Sequence, residues 1–192
     1  MDEKFKFSQA VLAKLDFENR RVLLLTAHRR ENIGEPMENI FKAILKIVQE
    51  FDDVELIYPV HMNPVVQNTA QRILGSEERI HLIEPLEYVP FANLISKSFL
   101  VLTDSGGIQE EAPALGKPVL VLREETERPE AVDAGTVKIV GTNENNVYDA
   151  IKLLLTNKKE YEEMANAVNP YGDGETAQRI IDIIKKKSNF NR

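Results

Sequence analysis

Apolar and polar positions along this chain fall into two alternating kinds of block. Short, nearly continuous apolar runs occur at Arg21–Ala27 (RVLLLTA), Val54–Val60 (VELIYPV), Arg79–Ile83, Phe99–Thr103, Pro118–Leu122 and Thr136–Val140. Such runs predict strands covered on both faces. Between them, apolar residues recur at helical spacing. Met37, Ile40, Phe41, Ile44, Leu45 and Val48 follow Pro36 at a predicted N1 position, and Val65–Leu74 lies between an opening Pro64 and a terminating Gly75. Helices are also predicted at Tyr88–Ser96, Gly107–Leu115, from Pro129, and over Glu144–Leu155, Lys158–Ala167 and Thr176–Lys187. Pro113 should bend its helix and leave the Gln109 carbonyl without its usual partner. Phe5, Phe7, Val11, Leu12 and Leu15 predict an amphipathic helix over Met1–Leu15, and Asn189–Arg192 should fray.

Strict alternation of apolar strands and helices predicts α/β class: a single doubly wound, Rossmann-like domain with a mostly parallel six-stranded sheet. Right-handed crossovers favour the order 3-2-1-4-5-6. Ligands of such sheets bind at the carboxyl ends of the strands, near the switch between the first and fourth. That order makes the loops after Ala27 and Thr103 neighbours and puts His28 and Ser105 on one crevice.

Composition narrows the partners. The chain has 192 residues, enough for one well-buried domain, with 43% hydrophobic and 29% charged residues. No apolar stretch approaches a membrane span of roughly 18 residues, and no signal-peptide pattern opens the chain, so no membrane partner is expected. Zero cysteines rule out disulfides and thiolate metal sites and agree with a cytoplasmic location. A net charge of −7 argues against general nucleic-acid binding. Three histidines are too scattered to suggest a metal centre by spacing.

The candidate chemistry lies in the loops that follow strands. Thr103-Asp104-Ser105-Gly106-Gly107 takes a buried strand into a helix start, where free N–H groups and the helix dipole favour an anion. The alternative for Ser105, Gly106 and Gly107 is a helix cap whose glycines permit close helix–sheet packing. Glu111 lies roughly 6 Å along the helix from Gly107 and suits sugar hydroxyls, while Glu110 reads as a solvated charge. A diphosphate-bearing nucleotide fits both features. Within Thr26–Gly34, His28 can donate to phosphate or move a proton. Arg29 and Arg30 can pair with phosphate or with Glu31 in a merely solvated loop. Arg128 ends a charge run at another strand's carboxyl end, immediately before a helix. Phe91 is either core or a stacking surface for a base, His61 ends the second strand, and His81 reads as structural.

Three segments together resemble the non-hydrolysing UDP-N-acetylglucosamine 2-epimerases: TAHRRENIGEPMENI (Thr26–Ile40), YPVHMNP (Tyr58–Pro64) and TDSGGIQEEAPALGKPVLVLREETERPEAVDAGT (Thr103–Thr136). The likeness continues through NPYGDGETAQRI (Asn169–Ile180). It implies one half of a glycosyltransferase-B type fold acting on UDP-GlcNAc and UDP-ManNAc by UDP elimination and re-addition, with no cofactor. Residues 1–192 would be the UDP-binding carboxyl-terminal domain. The partner amino-terminal domain, carrying the proton-transfer carboxylates, has no counterpart here, so this half is expected to be inactive alone. The full-length protein is expected to be a homodimer. In such folds the terminal helix crosses onto the other half, which leaves Thr176–Lys187 without that surface.

By the same resemblance, His28 contacts the diphosphate and stabilises departing UDP. Ser105, Gly106 and Gly107 hold phosphate, Glu111 accepts from the ribose, and Arg128 lines the nucleotide site. Phe91 matches a uracil contact, and Leu86 matches a position often Gln in the family. Arg29 and His61 match contacts to a second, activating UDP-GlcNAc in some bacterial members. A hydrolysing relative, a UDP-sugar transferase half of the same architecture and a non-catalytic UDP-sugar-binding module are the alternatives. The AHRREN loop is not expected of the transferase.

Overall fold

The structure, a computed structural model, describes residues 5–172 and 174–189. One sheet contains β1 (Arg21–Thr26), β2 (Val54–Pro59), β3 (Ile80–Ile83), β4 (Leu100–Thr103), β5 (Val119–Val121) and β6 (Val137–Ile139). The order is β3-β2-β1-β4-β5-β6, as the alternation predicts, and each neighbouring pair is parallel. Alternate side chains of each strand feed two cores. Leu23, Leu25, Leu56 and Leu102 pack with α2 (Glu35–Glu50), α3 (Pro64–Leu74) and α7 (Glu144–Thr156). Val22, Leu24, Ile57 and Val101 pack with α1 (Ala10–Lys14), α4 (Tyr88–Lys97), α5 (Ile108–Glu111) and α6 (Pro129–Asp133). Burial on both faces is why the strands carry no polar alternation.

The expected and observed elements part at both ends of the chain and at Pro113. The helix expected from Met1 shrinks to α1, and its first four residues lie outside the described part. Phe5, Phe7 and Phe17 instead form a ring cluster with centroids 5.2 and 5.7 Å apart, covering apolar surface without helical backbone. Gly34, at φ +101°, turns the chain into α2, whose first residue is Glu35, one place before Pro36. The helix expected to reach Leu115 stops at Glu111, and Pro113 begins a 3₁₀ turn, Pro113–Leu115. Proline cannot extend an i→i−4 ladder. After α8 (Lys158–Ala165), α9 (Thr176–Asn189) leaves Ile180, Ile181, Ile183 and Ile184 exposed. The fraying expected of Asn189–Arg192 falls largely outside the described residues. No described helix is long and apolar enough to cross a membrane.

One buried polar side chain fixes where β1 ends. Tyr58 of β2 is fully buried beside Phe41, and its hydroxyl donates to the Ala27 carbonyl. Burial, followed by the charge of Asp104, pushes its phenol well above the usual range, so the hydroxyl stays a donor. Tyr58→Phe should therefore lower the unfolding free energy by about 1–3 kcal/mol, the cost of leaving a buried acceptor unpaired. Urea denaturation checks this, and an unchanged midpoint would refute it.

Candidate functional site

β1 and β4 run side by side and end together, with Thr26 opposite Thr103 and their hydroxyls 2.6 Å apart. The crevice at this switch point is organised by Asp104, whose side chain is fully buried. Its N–H donates to the Thr26 carbonyl at 3.1 Å. Its Oδ2 accepts three hydrogen bonds from the first loop: His28 N–H at 2.9 Å, Arg29 N–H at 2.8 Å and Asn32 Nδ2 at 3.1 Å. Asn32, also buried, sits in a 3₁₀ turn (Arg30–Asn32) and donates to the Leu122 carbonyl at 3.1 Å, reaching β5's end. The first loop is thus wrapped around a carboxylate supplied by the second.

His28 is exposed at the mouth of this crevice, with Nδ1 3.6 Å from Asp104 Oδ1. Its ring stacks on His61, with centroids 5.4 Å apart and planes 8° from parallel. Asn63 N–H donates to His61 Nδ1 at 3.1 Å, which puts His61's own proton on Nε2 when the ring is neutral. The loops after β1 and β2 therefore meet through two imidazoles. His81 is paired with Glu55 at 2.7 Å within the sheet and has a structural role.

In the second loop, Ser105 N–H donates to Thr103 Oγ1 at 3.0 Å. Gly106 and Gly107 have ordinary negative φ, and neither is needed for close packing. A Cβ on Gly106 would meet nothing within 4 Å, and one on Gly107 would meet only Glu111 Oε1 at 4.0 Å. The packing explanation for these glycines fails, because they instead leave space open above the loop. Since α5 has only four residues, an anion here would rely on local N–H groups more than on a long dipole. Glu111 reaches back toward Gly107, half-buried and without an ion pair among the described residues.

The charge run after β5 is no simple solvated face. Arg123 ties Glu31 and Glu127 together, each at 2.7 Å, and Arg29 approaches Glu127 at 3.4 Å. Glu31 thus pairs across the crevice and not within its own loop. The Arg123 hydrogen bond, chiefly, holds the Glu127 carboxyl down at about 2. Glu110, expected to be merely solvated, pairs with Arg128 and pushes that guanidinium's pKa further up. Buried Gln109 clamps the two loops: Nε2 donates to the Ser105 carbonyl at 3.3 Å, and Oε1 accepts from Thr126. Thr126 Oγ1 in turn accepts Arg128 N–H at 3.0 Å.

Leu86 and Phe91, on the β3–α4 segment, are half-buried against the α4–α5 side of the core. Neither makes a hydrogen bond or ring stack with His28 or Ser105 among the described residues. No described group of three or more His, Asp or Glu side chains is arranged to hold a metal ion. Asp104, Asn32 and Gln109 carry no role in the sequence reading. The available signal was polar residues directly after fully apolar strands, but their donors come from distant segments.

A family model described as UDP-N-acetylglucosamine 2-epimerase matches residues 1–185. A UDP-N-acetylglucosamine 2-epimerase of Bacillus subtilis (strain 168) is 61% identical over 162 residues, covering 84% of this chain and 43% of that protein. The S. aureus MnaA–UDP co-structure superposes with a TM-score of 0.90 at 53% identity, covering 98% of this chain and 51% of that one. The Neisseria meningitidis UDP-GlcNAc 2-epimerase bound to UDP-GlcNAc gives a TM-score of 0.82 at 50% identity, covering 88% and 45%. The chain spans about half the length of the curated relatives it matches.

Two outcomes follow from this geometry. Gly106→Ala should change stability by no more than about 0.5 kcal/mol, as at an unconstrained surface position; a larger loss in thermal or urea melts would restore the packing explanation. Arg123→Met should return the Glu127 carboxyl from about 2 toward its ordinary 4.5 in an NMR titration. Because that carboxyl is depressed in the fold, its stabilising contribution is complete above 4.5 and disappears as pH falls through about 2. A Glu127 midpoint unmoved by the substitution would discard Arg123 as the cause.

Proposed function

The chain belongs to the UDP-N-acetylglucosamine 2-epimerase family, and on that premise we propose that it is the UDP-binding, carboxyl-terminal half of an enzyme interconverting UDP-GlcNAc and UDP-ManNAc. The observation that carries this reading is the shared crevice of His28 and the Ser105–Gly107 loop, with open space above both glycines. The diphosphate lies against the amides of that loop, with His28 on an oxygen of the leaving phosphate. Glu111 accepts from the ribose hydroxyls, and Arg128 leaves Glu110 to face the nucleotide. Leu86 and Phe91 border the uracil. Arg29 and His61 border a second, regulatory nucleotide sugar.

In the reaction, a base on the complementary half removes the C2 proton. The C1–O bond breaks, its electron pair leaves with UDP, and a 2-acetamidoglucal with a C1=C2 double bond remains. Reprotonation on the opposite face and re-addition of UDP complete the epimerisation. This chain supplies preorganised donors where negative charge develops, the kind of term that contributes most in such sites. The exposed isoleucine face of α9 is the seat of the complementary half. The assembled enzyme acts as a cytoplasmic homodimer providing ManNAc units for surface polysaccharide.

The isolated chain should bind UDP weakly and turn over nothing. By calorimetry, His28→Ala and Glu111→Ala should each weaken UDP binding about tenfold, or about 1.4 kcal/mol. Undiminished binding in both variants would sink the site assignment. Epimerisation of UDP-GlcNAc by the purified chain alone would overturn the need for a second half.

A further inference from the structure

Asp104 has one oxygen saturated and one left over. Oδ2 takes three N–H donors, from His28, Arg29 and Asn32. Oδ1 is buried and has no hydrogen-bond partner among the described residues. Buried polar oxygens are nearly always satisfied, so an orphan needs a physical explanation. The donor within reach is His28 Nδ1, at 3.6 Å, a few tenths of an ångström beyond a hydrogen bond. Two features limit how far the imidazole can turn away. Its backbone N–H is anchored to Oδ2 of the same carboxylate, and its ring face lies against His61.

We propose that Asp104 is the positioning residue of His28: Oδ1 accepts the proton of Nδ1, which fixes one imidazole tautomer and aims Nε2 into the crevice. This deepens the reading of His28 as the group facing the departing phosphate and rests on it for its catalytic meaning. A neutral His28 held this way presents an Nε2 lone pair, which can receive a proton. Protonated there, the ring presents an N–H to phosphate while the buried carboxylate balances its charge. The proton then passes from Nε2 to a phosphate oxygen as the C1–O bond breaks, and it returns to Nε2 when UDP adds back. A carboxylate behind a histidine commonly sets which nitrogen carries the proton. Here the same carboxylate also builds the loop, so ring and backbone are referenced to one group.

Replacement by asparagine gives a prediction that loss of structure alone would not produce. Three donors aim at the Oδ2 position, so the amide oxygen of Asp104→Asn must sit there. Its NH₂ then occupies the Oδ1 position and offers a donor to Nδ1. The neutral ring should switch tautomer, moving its proton to Nε2. The chain has only three histidines, so ¹⁵N-edited NMR of the imidazoles can be assigned with His28→Asn as a blank.

At a pH where the rings are neutral, His28 in the unaltered chain should show a protonated Nδ1 and an unprotonated Nε2. In Asp104→Asn the two ¹⁵N signatures should exchange, while those of His81 stay put. A protonated Nε2 in the unaltered chain overturns the proposal, and that result stands even if the variant does not fold. Identical His28 signatures in a folded variant overturn it as well. UDP calorimetry on the same samples separates the two claims. Tautomer exchange without any UDP binding would leave Asp104 as the histidine's positioning residue and remove the nucleotide reading.

Discussion

The site depends on one buried carboxylate. An ion taken out of water costs several kcal/mol unless donors replace its hydration. Asp104 recovers those donors from the loop that follows β1: two backbone N–H groups and the Asn32 amide. That requirement works in both directions. The carboxylate is tolerable only while residues 28–32 hold this conformation, and the loop keeps its conformation because the carboxylate is there. Parallel pairing of β1 with β4 brings the two together, with a threonine at each strand end. The site geometry is thus a consequence of the sheet order.

Outside that buried carboxylate, the charges serve position more than stability. Exposed ion pairs contribute only about 0–1 kcal/mol each. Yet Arg123, Glu31, Glu127 and Arg29 join the loops after β1 and β5, and Arg128 with Glu110 joins α5 to the residue that caps α6. Arg29, Arg123 and Arg128 each already have a carboxylate, so an incoming anion must compete with glutamates for them. That competition suits the proposed cycle, in which UDP is released and captured again. By contrast, the space above Gly106 is open, and only the Glu111 carboxylate approaches Gly107.

The sheet was legible because its information is local. Each apolar run names a strand, and alternation with helices names the order. The loops after Ala27 and Thr103 could be placed together from topology alone. What escaped was long-range. Asp104 and its donors are separated by 72 to 76 positions, and nothing in the chemistry of an isolated Thr-Asp-Ser announces burial. Glu110 looked solvated because its partner, Arg128, is 18 positions away across a loop. The amino-terminal helix was overread because apolar spacing at Phe5 and Phe7 serves aromatic packing equally well. Pro113 was expected only to bend its helix but ended the α-helical ladder outright.

The distribution of paired groups also bears on the proposed division of labour between the two halves. Proton abstraction from carbon needs a base held within hydrogen-bond reach of that proton. Of the carboxylates around the crevice, Asp104 is buried under the loop, while Glu31, Glu110 and Glu127 are engaged by arginines. Glu111 has no ion pair among the described residues but is turned back toward Gly107, where the proposed function puts the nucleotide. His28 is tethered through its backbone N–H to Asp104. Under the proposed function these carboxylates are committed to the loops and the nucleotide, which assigns the base for the sugar to the complementary half.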